Sequence, residues 1–76
     1  MPVALLAPLF DLTPREAEVA RLLAQGLTVA EAGARLAITF HTARVHQRRI
    51  YDKMGVHSQA ELVRTIRALT PLGVEP

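Results

Sequence analysis

Residues 28–55 read TVAEAGARLAITFHTARVHQRRIYDKMG, and this stretch decides the fold. Thr28 is followed three residues later by Glu31. In that S/T-x-x-E pattern the hydroxyl accepts from the third helical amide and the carboxylate reaches back to the cap amide. The pattern predicts a short helix over about 29–36, with Ala32 and Leu36 facing inward. Only Ala37, Ile38 and Thr39 separate it from a second, longer helix over about 40–54, capped by Thr39. Gly55 stops that helix, because a residue without a Cβ takes a left-handed backbone cheaply. A short helix, a tight turn with Ile38 plugging the space between, and a longer basic helix is helix-turn-helix geometry.

The flanks repeat the punctuation. Thr13-Pro14-Arg15-Glu16 and Ser58-Gln59-Ala60-Glu61 fit the same capping pattern, and Pro14 falls at the first helical position, where its missing N–H is harmless. The first flank predicts a helix over about 14–25, stopped by Gly26, with Val19, Leu22 and Leu23 inward. The last predicts a helix over about 59–69, closed by Pro71, with Leu62, Val63, Ile66 and Leu69 on one side. No run alternates as a strand does. The fold class is therefore all-α, a compact four-helix helix-turn-helix domain over residues 12–69. Residues 1–11 read as an extended lead-in whose Leu9 and Phe10 cover the core, and residues 70–76 as a loose tail.

Composition limits the alternatives. The chain has 76 residues, half of them apolar, with three aromatics and no cysteine. That is enough for one small domain with an aliphatic core. Disulfides, thiolate zinc sites and cysteine nucleophiles are excluded. The first ten residues are too short for a membrane span and lack the basic start of a secretory signal. The charge is placed unevenly. Residues 41–57 carry Arg44, Arg48, Arg49 and Lys53 against Asp52 alone. The rest carries Arg15, Arg21, Arg35, Arg64 and Arg67 against Asp11, Glu16, Glu18, Glu31, Glu61 and Glu75. A near-neutral body with one basic element is the electrostatic footprint expected for nucleic acid.

At about 100° per residue, Ala43, Ile50 and Met54 form one stripe of the third helix, its buried side. Arg44, Arg48, His41 and Val45 occupy a different face, with Arg49 and Lys53 further round. A major groove suits this combination. Arginine donates two hydrogen bonds to guanine, a small apolar group meets a thymine methyl, and flanking cations hold phosphates. Val45 reads equally as a helix-edge core contact. His41 and His46 are five apart and do not share a face, and no His-Glu-x-x-His pattern occurs, so no metal or other cofactor is expected. His46 reads as a boundary residue within reach of a phosphate.

From Leu12 to Leu69 the chain resembles the LuxR/GerE-type (also NarL-type) helix-turn-helix domain. The landmarks are Leu12-Thr13-Pro14-Arg15-Glu16, Gly26-Leu27-Thr28, Glu31, Ile38-Thr39, Thr42-Ala43-Arg44-Val45-His46, Lys53-Met54-Gly55-Val56 and Gln59-Ala60-Glu61-Leu62-Val63, in order and without gaps. The resemblance implies a cytoplasmic transcription regulator's output domain that binds double-stranded DNA as a homodimer, with an N-terminal regulatory domain outside this chain. It implies that the third helix is the recognition helix, with Arg44, Val45 and Arg48 at base edges. Thr28, His41, Thr42, His46, Arg49 and Lys53 fall at backbone contacts or their supports. The fourth helix is the implied dimerisation element, with Val63, Ile66 and Arg67 as its candidates.

Several positions depart from the family pattern. Ala37 stands at the turn glycine, where a left-handed backbone would cost alanine about 1 kcal/mol. Val29 and Ala30 replace polar or basic residues, Ala32 and Ala43 stand where larger residues are frequent, and Gly33 lies inside a helix. Phe40 replaces a polar residue. It is expected to pack on the lead-in, with an apolar contact to DNA or a partner as the other reading. The apolar Val29, Ala30 and Phe40 also keep open a protein-interaction module with little DNA affinity. An enzyme is not expected, since the sequence shows no paired carboxylates, activated nucleophile or phosphate loop.

Overall fold

The computed structural model describes residues 8–69. It is all-α: α1 is Pro14–Ala24, α2 Val29–Arg35, α3 Phe40–Met54 and α4 Gln59–Leu69, with no strand among the described residues. The expected tail at 70–76 and the first seven residues of the expected lead-in lie outside the described residues.

Residues 8–10 are helical, a correction of the extended chain expected there. Asp11 has φ 57°, and aspartate is one of the few residues that visits the left-handed region readily. It ends this helical run as a glycine would. Phe10 packs against the core, but Leu9 is 56% exposed and does not.

Each helix start follows from its cap. Glu16 N–H donates to Thr13 Oγ1 at 3.1 Å and Thr13 N–H to Glu16 Oε1 at 3.0 Å. At α2, Glu31 N–H donates to Thr28 Oγ1 at 3.1 Å and Thr28 N–H to Glu31 Oε1 at 2.9 Å. The start of α4 is only half the expected box. Glu61 N–H donates to Ser58 Oγ at 3.1 Å, but the Glu61 carboxylate accepts from His57 N–H at 2.7 Å, one residue earlier than the pattern implies. The Gln59 amide reaches back to the carbonyls of Leu23 and Leu27, at 2.9 and 2.8 Å, and so ties α4 to the end of α1.

The ends of α1 and α2 share one geometry. Leu27 N–H donates to Leu22 O and Gly26 N–H to Leu23 O; likewise Ile38 N–H donates to Gly33 O and Ala37 N–H to Ala34 O. This is the Schellman arrangement, with its left-handed residue just past the helix. At α1 that residue is Gly26, φ 96°; at α2 it is Ala37, φ 58°. The turn keeps its left-handed backbone without the glycine.

The core gathers Leu12, Ala17, Val19, Ala20 and Leu23 with Ile50, Met54, Val56 and Leu62. All of α3's buried residues are those of the expected stripe, Ala43, Ile50 and Met54. The α4 row is thinner than expected: Leu62 is buried, Val63 and Ile66 are half-buried, and Leu69 is 38% exposed. Leu36, expected inward, is also half-buried.

Where α2 crosses α3 the residues are small: Ala32, Gly33 and Ala43 are all buried. A methyl group on Gly33 would stand 3.2 Å from Ala43 Cβ and 3.3 Å from the Ile38 carbonyl oxygen. A side chain at position 33 would therefore press on Ala43 and on the turn, and glycine suits this crossing.

Candidate nucleic-acid interface

With Ala43, Ile50 and Met54 buried, α3 turns its remaining faces outward. Phe40, His41, Arg44 and Arg48 are exposed and Val45 is half-buried. Together they line one shallow cleft of about 250 Å³. The cleft brings Arg44, Val45 and Arg48, the three expected base-edge residues, onto one surface with His41. Arg49 is exposed further round the helix.

The structure differs from expectation at Phe40. The ring is 54% exposed instead of packed on the lead-in. It is the first residue of α3, following the cap Thr39. The Arg44 guanidinium carbon lies 5.8 Å from the ring centroid, within cation–π range. The sequence holds a signal for this pairing, the i, i+4 spacing of residues 40 and 44.

The other expected backbone contacts are less uniform. Thr42 is half-buried and belongs to the cap: its N–H donates to Thr39 Oγ1 at 3.1 Å and its hydroxyl oxygen accepts from the Thr39 hydroxyl at 3.0 Å. Both polar groups of Thr28 that form the α2 cap are engaged with Glu31, whose side chain is exposed beside them. His46 is half-buried, and its Nδ1 is buried with no hydrogen-bond partner among the described residues.

Lys53 turns inward. Its ammonium donates to Glu16 Oε1 at 2.7 Å and to the Asp11 carbonyl at 2.9 Å. Glu16 is 1% exposed, so its carboxylate requires such a partner. Burial alone would raise its pKa and is the largest single influence. The Lys53 hydrogen bond, the Thr13 N–H and the charges of Lys53 and His46 together outweigh it, leaving the carboxyl below its ordinary value. The last turn of α3 is thereby fastened to the start of α1. The fastening joins residues far apart in the chain, and no local pattern announces it.

Of the expected dimer residues, Val63 and Ile66 are half-buried and pack against the core, and Arg67 is exposed. No helix among the described residues is long and apolar enough to cross a membrane.

A capped short helix, a left-handed turn and a rigidly seated basic helix define the helix-turn-helix class of DNA-binding domain. The chain belongs to the family described as "Bacterial regulatory proteins, luxR family", whose sequence profile matches residues 11–66. It is a DNA-binding domain of the transcription-regulator type. Among its relatives is the transcriptional regulatory protein UhpA of Escherichia coli, 43% identical over 53 residues, covering 70% of this chain and 27% of that protein. The tetrathionate response regulatory protein TtrR of Salmonella typhimurium is 42% identical over 54 residues, 71% of this chain and 26% of that one. The nitrate/nitrite response regulator protein NarL of Escherichia coli is 42% identical over 51 residues, 67% and 24%. The matched part of the chain spans about a quarter of the length of these three relatives.

Proposed function

We propose that this domain reads duplex DNA sequence-specifically, with α3 in the major groove, as the output domain of a longer regulator in the cytoplasm. The observation that carries this reading is the outer face of α3, where Arg44, Val45 and Arg48 line one cleft opposite the buried stripe. Arg44 and Arg48 donate to guanine edges, Val45 meets a thymine methyl, and His41, Thr42, His46 and Arg49 hold or support the phosphate contacts. Lys53 acts mainly by holding the helix, because two of its donors are occupied within the domain. Thr28 contributes through the start of α2. Two copies bind paired half-sites about one helical turn apart, meeting through α4 at Val63, Ile66 and Arg67.

The test is selection of bound duplexes from a random pool, followed by titration across a salt series. A phosphate-dominated complex weakens steeply as salt rises, and a symmetric selected site reports two copies. Arg44→Ala and Arg48→Ala reduce discrimination between sequences, whereas Arg21→Ala, on an exposed position of α1, leaves it unchanged. If Arg21→Ala matches Arg48→Ala in effect, the recognition face is misplaced.

A second reading rests on the exposed Phe40 and Ala30: a protein-interaction module with the same fold. Absence of duplex binding at low salt, with saturable capture of one defined protein partner, would favour it.

A further inference from the structure

The exposed ring of Phe40 is not explained by folding. It lies outside the core cluster and its neighbouring partly buried hydrophobics, and more than half of its surface is open. A single exposed apolar residue is ordinary on a protein surface. This one is distinguished by its neighbour: it carries the Arg44 guanidinium over its face at 5.8 Å. It also shares the cleft with Arg44 and Arg48.

An arginine that reads guanine must present its planar fork in one orientation. The free side chain is rotamer-rich, and ordering it on binding opposes association. A flat aromatic surface one helical turn earlier restricts that freedom before the DNA arrives. The ring offers the guanidinium no hydrogen-bond acceptor, so the fork's N–H donors remain available to guanine O6 and N7.

We propose that Phe40 is a positioning residue for base reading, which pre-orients the Arg44 guanidinium through this cation–π contact and thereby sharpens the preference for guanine at one position of the half-site. The proposal rests on the assignment of Arg44 to a base edge. It adds that this arginine's discrimination depends on an aromatic ring at position 40.

The experiment compares Phe40→Leu, Phe40→Tyr and Arg44→Ala, and the double variant Phe40→Leu/Arg44→Ala, on duplexes selected by the unaltered chain. Each duplex is measured with guanine and with adenine at the position where Arg44→Ala loses preference. Because the ring is exposed, all variants are expected to fold, and thermal unfolding verifies this. Phe40→Leu keeps an apolar side chain without a π face. It should reduce the guanine-over-adenine ratio by about 5- to 10-fold, a loss of the size expected from an exposed cation–π contact and some ordering of one side chain. Phe40→Tyr should retain the ratio. In the Arg44→Ala background, Phe40→Leu should change the ratio no further.

Equal effects of Phe40→Leu with and without Arg44 would overturn the proposal, as would a ratio unchanged in Phe40→Leu. A ratio that rises in Phe40→Leu would mean that the ring sequesters the guanidinium, and would overturn it too. If the unaltered chain selects no duplex, DNA reading by α3 fails along with it. If Arg44→Ala alters no base preference while other α3 variants do, only the assignment of Arg44 fails, and this proposal with it.

Discussion

Helix α3 is held by two neighbours in two different ways. Against α1 it is held by filling: Ile50 and Met54 enter a cluster with Val19, Ala20 and Leu23, and Lys53 reaches over to Glu16. Against α2 it is held by close approach: Ala32, Gly33 and Ala43 meet with almost no side-chain volume between the backbones. The first contact is one of bulk and charge. The second is one of small residues, and it tolerates little added volume.

The largest effect should come from emptying the bulky contact. Ile50 is fully buried, so Ile50→Ala should cost about 2–5 kcal/mol through lost transfer energy and the cavity left behind. Urea unfolding checks this. The small-residue contact should fail in the opposite sense, by overfilling. Gly33→Val should cost about 1–3 kcal/mol, because its branches have no room beside Ala43 and Ile38. Its structure should show α2 displaced from α3, while the cluster around Ile50 stays intact. A Gly33→Val protein as stable as the parent would show that the close approach is not restrictive.

The charged part of the first contact yields a pH test. The Glu16 pKa is lowered in the folded state, against about 4.3 for an unfolded glutamate. The stabilisation it brings is complete above that ordinary value and disappears as pH falls through the lower folded one. Lys53→Met should cost about 1–2 kcal/mol at pH 7, a discounted figure because the lysine side chain is 31% exposed and the pair is partly screened. At pH 3 the gap between the two proteins should narrow, which denaturant curves at the two pH values will show. The smallest expected change is a gain. Ala37 sits at φ 58°, so Ala37→Gly should stabilise by about 0.5–1 kcal/mol by relieving the left-handed strain of a Cβ. The matching change at the other helix end, Gly26→Ala, should destabilise by a similar amount.

The contrast between the two contacts also explains what was legible in the sequence. Helix α3 begins and ends where its cap and stop place it, α4 begins after Ser58 as expected, and Ala43, Ile50 and Met54 are buried as the periodicity of α3 implies. Those features are local, decided by residues three or four apart. The placement of Arg44, Val45 and Arg48 on one outer face was legible for the same reason. Helical periodicity locates Lys53 away from the core stripe, which suggests a cation facing DNA, yet its long stem carries the ammonium back to a carboxylate at Glu16. The Glu61 carboxylate went to His57 rather than to the cap it resembles, because the chain entering α4 brings the His57 N–H within 2.7 Å. Phe40 is apolar and adjoins the buried stripe of α3, yet its ring is exposed beside Arg44. The helical residues 8–10 carry little signal, because their stop is an aspartate in the role usually given to glycine.

The Lys53–Glu16 fastening has a mechanical consequence. Helix α3 is clamped at its last turn, while the arginines that would meet a ligand lie in its first two-thirds. It is in effect a beam with two supports, Ile50 and Lys53 at its last turns and Ala43 against Gly33 near its first. A load applied through Arg44 or Arg48 falls between those supports and is shared by α1 and α2.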